Sequence, residues 1–200
     1  MKKITQEIKY IAYGMKRGGH HAVINWILKH YKSYLYYNNC FVNNGGFYYA
    51  NDNEVLEFGN KPYEIKLMSF EDRPIIEESS FRSVSSLNCS AINILILRDP
   101  YNTYASRFYK NKHPHLNNWN KTWNNYDDVE IWKEYAKEFL GHTNKLNSSI
   151  KINYNSWFSD INYRKSLSVN FGKFTDSGLE EVPSFGGGSS FDNVLFNKNA

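Results

Sequence analysis

The chain has 200 residues, 41% of them hydrophobic and 17% aromatic, enough for one ordinary domain with a buried core. Its formal charge of +4 suits an anionic ligand but falls far short of the basic balance of a nucleic-acid binder, so no nucleic-acid partner is expected. Its two cysteines, Cys40 and Cys89, make neither a disulfide framework nor a metal cluster, and reduced thiols suit a cytoplasmic protein. The N-terminal apolar run is broken by Gln6, Glu7 and Lys9, unlike a signal peptide. No stretch has the length of apolar residues that a membrane-spanning helix needs.

In chain order, Ile8 to Tyr13 is short, apolar and β-prone and predicts a first strand. After a glycine turn the period changes. Val23, Ile24, Ile27, Leu28 and Tyr31 fall at helical spacing and predict one buried helix face. The Asn- and Gly-rich stretch from Asn38 to Lys61 reads as loops with short irregular pieces. Tyr63 to Phe70 predicts a second strand, and residues 73–86 suggest a short helix. Ile92 to Leu97 is nearly all β-branched or leucine, the composition of a parallel strand covered on both faces. Asp99 and Pro100 then supply a cap and a first helical position, with Tyr101, Tyr104 and Phe108 along one face. A polar, aromatic loop follows, carrying His113 and His115. Residues 127–142 predict a helix with Trp132, Tyr135, Ala136 and Phe139 on one side and Gly141 at its end. A strand from Ser149 to Trp157 and a helix from Asp160 to Gly172 complete the pattern. Residues 173–200, rich in Gly and Ser, form a closing segment or a tail. Alternating strands and helices predict one α/β domain, three layers deep around a parallel sheet. Ligands bind such sheets beyond the carboxyl ends of their strands.

Two motifs fall there. From Gly14 to Gly19 the glycine spacing is that of a nucleotide-binding loop, with Lys16 and Arg17 as fixed charge and Gly18 as a further small residue. Glycines let backbone N–H groups turn toward an anion, and the following helix adds its positive end. Nucleotide loops continue Gly-Lys-Ser/Thr, the hydroxyl serving magnesium. Here His20 and His21 follow instead, which disfavours an ATP or GTP phosphotransferase. The second motif places Arg98 at a strand end and Ser106 eight residues later on a helix, where a cation and a hydroxyl would converge on a second anion.

Together the two motifs resemble the PAPS-dependent sulfotransferase family, and the loop is similar to that of its heparan-type members, a basic pair followed by Gly-Gly. The resemblance is specific over roughly the first half of the chain. It implies a P-loop-like fold and transfer of a sulfuryl group from PAPS to a hydroxyl or amine, a carbohydrate being the favoured acceptor, with adenosine 3′,5′-bisphosphate as product. It implies that Lys16, Arg17, Gly18, Gly19, His20 and His21 surround the 5′-phosphosulfate and that Arg98 and Ser106 hold the 3′-phosphate. Counting from Gly19 puts Arg17 at the family's catalytic lysine, and counting from Gly18 puts Lys16 there. No metal is expected, because a cation at the bridging oxygen does that work. The family's base, a histidine or glutamate after the second strand, corresponds best to Glu71, since the histidine position holds Met68. Asp72 is the neighbouring carboxylate, Lys66 matches a substrate-positioning lysine, and His113 and His115 are alternative bases. The Gly186 to Ser190 segment, with Lys173 upstream, would close over the 3′-phosphate, and the chain would then end early for this family. The competing readings are a magnesium-dependent P-loop kinase and a nucleotide binder without chemistry.

Overall fold

A computed structural model describes residues 1–5, 7–43, 46–50, 52–76, 91–110, 126–179 and 181, with the side chains of 108–110 excepted. The chain is α/β. The parallel strands are β2 (Tyr10–Gly14), β3 (Tyr34–Tyr37), β7 (Ile65–Glu71), β8 (Ile92–Leu97) and β9 (Ile150–Asn153). They stand side by side as β3-β7-β2-β8-β9, and β6 (Val55–Phe58) joins the β3 edge antiparallel. The expected wholly parallel sheet is therefore a mixed sheet of six strands. The first of the parallel strands lies in the middle, so the chain leaves it to one side and later returns to the other.

Helices cover both faces, an arrangement compatible with three layers. On one face α1 (His20–Leu28) packs Val23, Ile24 and Ile27 onto Tyr10, Ala12, Leu67 and Ile94. Trp157 of α4 (Tyr154–Ser159) and Leu167 of α5 (Ile161–Ser168) extend that layer. On the other face α3 (Asp128–Phe139) sets Ile131 and Tyr135 against Tyr13, Phe70 and Leu95. A small sheet of β1 (Lys2–Lys3), β5 (Gly46–Tyr49) and β4 (Phe41–Asn43) covers the same face through Phe47.

Local chemistry explains the boundaries. The Asp127 side chain accepts the backbone N–H groups of Val129 and Glu130 and starts α3. Gly141 ends it at φ 79°, with the His142 N–H returning to the Lys137 carbonyl at 2.8 Å. Asp99 caps α2 (Pro100–Lys110) through the N–H of Asn102 at 2.8 Å.

Several expectations change. Tyr34–Tyr37 is a strand, and the Asn-rich stretch after it holds β4, β5 and β6. Aromatic stacking supplies what composition hides: Tyr34 on Phe58 at 5.4 Å and Phe41 on Tyr48 at 6.0 Å. The strand expected over 149–157 stops at Asn153, whose side chain caps α4. On α2 the aromatic spacing does not mark the core side: Tyr101 is 85% exposed and Tyr104 half-buried, while Thr103, Ser106 and Arg107 are buried. Residues 73–76, where a helix was expected to begin, are irregular; 77–86, His113, His115 and the Gly186–Ser190 segment lie outside the described residues.

Candidate functional site

Because the five strands are parallel, their carboxyl ends share one edge of the sheet. The Gly14–Gly19 loop follows β2, Glu71 ends β7, Arg98 follows β8, Asn38 follows β3 and Tyr154 follows β9. Loop and helix meet tightly. A Cβ at Gly14 would overlap the His20 imidazole, and one at Gly19 (φ 78°) would overlap the Tyr154 ring. Gly14 is thus required by close approach, and Gly19 by close approach as well as by its positive φ. Gly19 precedes α1 without a side-chain cap, so the first-turn N–H groups are left for an external acceptor.

The two loop cations are held differently. At Lys16 the peptide is fixed: its N–H donates to Asp72 Oδ1 at 2.9 Å and its carbonyl accepts Arg107 Nη1 at 2.8 Å. Its side chain is exposed. Arg17 takes the left-handed φ of 67°, costly for a residue with a side chain and common where function demands it. Its Nε donates to the buried Ser106 Oγ at 3.1 Å, and its carbonyl accepts Arg98 Nη1 at 3.2 Å. Arg17, Arg98 and Ser106 therefore converge, although Ser106 and Arg98 lie far along the chain.

Arg98 makes no ion pair among the described residues, although its charge helps to hold the Asp99 carboxyl below the usual range. Its buried Nε has no acceptor among them. Asp99, the obvious candidate, is engaged by Asn102 and Asn155 at 2.9 Å each. The guanidinium rests instead on the Tyr154 ring, 5.0 Å from its centroid.

Beneath the loop lies a buried triad. Arg107 forms a two-pronged pair with Asp72 at 2.8 and 2.9 Å and donates Nε to Asp128 at 2.7 Å. Burial disfavours the guanidinium's charge, but the bonds and charges of Asp72 and Asp128 outweigh it and raise its pKa. Burial pushes the Asp128 carboxyl up to about 6, against the pull of Arg107.

Glu71 is buried, and burial raises its pKa; His21 opposes that rise and Asp72 adds to it. The His21 Nε2 lies 3.8 Å from Glu71 Oε1 and 3.1 Å from Asn38 Oδ1. His20 is buried under the loop against Gly14, both ring nitrogens without partners among the described residues. Burial, then the neighbouring His21, keeps its imidazole neutral.

Of the expected residues, the structure brings together Lys16, Arg17, Gly18, Gly19, His21, Glu71, Arg98 and Ser106 along this edge. Lys66 is left out: it lies five residues back from Glu71 on β7, about 16 Å away along an extended strand. Met68 is buried in the opposite core. Lys173 is exposed and follows Phe171, which packs on Tyr10 at the strands' other end. The roles of Arg107, Asn38 and Tyr154 escaped sequence reasoning. A polar run Thr103, Ser106, Arg107 at helical spacing was the available signal for the first.

No family model matches the chain, and neither does any curated protein or solved structure. No described helix is long and apolar enough to cross a membrane, and no metal-binding cluster occurs among the described residues.

Proposed function

We propose that the chain is a sulfotransferase of P-loop-like fold, moving a sulfuryl group from PAPS to a hydroxyl or amine, with a carbohydrate as the favoured acceptor class. The observation that carries this reading is Arg98, with no carboxylate at ion-pair distance among the described residues and an orphaned buried Nε, bonded to the carbonyl of Arg17, whose own Nε reaches Ser106 beside the glycine loop. Such a cluster calls for an anion. The loop and helix start beside it call for a second one. A nucleotide with phosphate at 3′ and phosphosulfate at 5′ supplies both.

In this reading Arg17, Arg98 and Ser106 hold the 3′-phosphate. The backbone N–H groups of Gly19 and His20 receive the 5′-phosphosulfate, while Gly18, its N–H held by the Met15 carbonyl at 2.9 Å, shapes the turn. Lys16, its peptide fixed on both sides, offers its ammonium to the oxygen bridging phosphorus and sulfur. Glu71 takes the acceptor's proton. This reading gives Lys16 to the leaving group and Arg17 to the nucleotide's other end, a division supported by the Arg17 side chain's turn toward Ser106.

The test is calorimetric titration with adenosine 3′,5′-bisphosphate in the absence of magnesium, with ATP as control. The expected result is tight binding that ATP does not match and that Arg98→Ala weakens at least tenfold. Absence of binding, or equal binding of ATP once magnesium is added, overturns the reading.

A further inference from the structure

We infer that His21 is a positioning residue for Glu71, the two forming a buried imidazole–carboxylate pair that works as one base. The chemistry assigned to the pair rests on the sulfuryl-transfer reading; the pairing itself does not.

His21 is the second residue of α1 and Glu71 the last of β7. Their side chains retain only 17% and 8% of their exposure, and the Nε2 to Oε1 distance is 3.8 Å. The imidazole is held from behind. Asn38 Nδ2 donates to Glu54 Oε2 at 2.6 Å, which fixes the amide so that Oδ1 faces the histidine. The same Oδ1 accepts Tyr36 Oη–H at 2.8 Å and lies 3.4 Å from Ser69 Oγ. An oxygen already serving as acceptor requires His21 Nε2 to carry its proton. The N–H is thus on the ring atom nearest Glu71, within a small pivot of it.

The other charged groups facing Glu71 are Asp72, Lys16 and Arg107, and His20 faces His21. Burial raises the Glu71 pKa, and His21 is the first of the groups that oppose the rise, ahead of Lys16 and Arg107. His20, kept neutral, adds no competing charge. His21 therefore fixes the orientation of the buried carboxylate from the side and, when its ring is charged, opposes the rise that burial causes.

The step then balances. The acceptor hydroxyl's oxygen lone pair forms the new O–S bond. The S–O bond to the 5′-phosphate breaks, its electron pair staying on the departing adenosine 3′,5′-bisphosphate. The hydroxyl proton passes to the Glu71 carboxylate.

The experiment is a pair of NMR titrations on the full chain. Side-chain ¹³C carboxyl shifts follow Glu71 in the unsubstituted protein and in His21→Gln; ring ¹⁵N shifts follow His21 in the unsubstituted protein and in Glu71→Gln. Coupling between two sites is reciprocal. The Glu71 midpoint should rise by about one pH unit in His21→Gln, a tenfold change in proton affinity. In Glu71→Gln the His21 Nε2 chemical shift should change, its neighbouring carboxylate having gone. A purely structural histidine would move neither. The two substitutions probe one coupling from opposite sides, so loss of fold in either leaves the other as the test. A Glu71 midpoint or a His21 shift that stays fixed overturns the pairing. Binding of adenosine 3′,5′-bisphosphate to the unsubstituted protein is measured separately: its absence overturns the sulfuryl-transfer reading and leaves a measured coupling standing.

Discussion

Gly19 illustrates how much a single residue is asked to do. It must adopt φ 78° and admit the Tyr154 ring where a Cβ would stand. Gly19→Ala is expected to destabilise the chain by about 2 kcal/mol or more, from backbone strain together with overpacking. Adding Tyr154→Ala should restore the packing part and leave the conformational part. Urea denaturation of the single and double variants measures both, and a neutral Gly19→Ala would show the close approach to be unnecessary. That a glycine stood here for a turn was legible, because strand, glycine run and helical spacing follow one another in the sequence. That it also made room for Tyr154 was not, since the partner lies far along the chain. Arg98 behaves the same way. Its position at a strand end could be read; its lack of an ion pair among the described residues depended on Asp99 turning to Asn102 and Asn155.

Helix α2 shows how an element can be found while its buried side stays unread. Its start at Pro100 follows from the cap, and Tyr101, Tyr104 and Phe108 share a face by spacing, but spacing alone does not say whether that face turns inward. The helix buries Thr103, Ser106 and Arg107, because Asp72 and Asp128 repay the cost of dehydrating Arg107. Strands β3 to β6 escaped for a different reason: they are short, separated by Asn and Gly, and stabilised by cross-strand rings that only pairing reveals. Breaking the triad with Arg107→Met leaves two buried carboxylates and is expected to cost about 3–5 kcal/mol in chemical denaturation. The triad also carries a pH signature. Asp128 titrates at about 6 in the folded chain against about 3.9 when unfolded. The folded state then holds a proton that the unfolded state has lost, so this group's contribution is full below pH 4 and disappears as pH rises through 6. The melting temperature of the unsubstituted protein relative to Asp128→Asn should accordingly fall between those values. A constant difference would remove Asp128 as its source.

At the scale of the molecule, the sheet sorts its two edges by use. Every residue of the candidate site comes from the carboxyl edge, and the segment after α5 is tied elsewhere. The Trp26 indole N–H donates to the Thr175 carbonyl at 2.8 Å, and Asn25 Nδ2 reaches the Gly178 carbonyl at 3.4 Å. Arg164 takes Asp176 with two bonds at 2.7 and 3.0 Å, and Lys29 meets Glu181 at 2.7 Å. A chain ending at Gly172 leaves the buried Trp26 and Arg164 without these partners. Its stability should drop by at least about 2 kcal/mol, and an unchanged denaturation midpoint would assign the segment no structural part. The α/β alternation was legible because β2, β8, α1 and α3 each carry strong periodicity. The antiparallel β6 edge and the strap over α1 arise from contacts between distant segments, which periodicity does not encode.

One consequence concerns Lys16 and Arg17 jointly. The first has its carbonyl on Arg107, the second its guanidinium on Ser106. Those two partners are consecutive residues of one helix. The loop is thus tied to α2 at two consecutive points, and a shift of the helix would move the Lys16 peptide and the Arg17 guanidinium together. Two adjacent loop residues thereby take their positions from one turn of one helix.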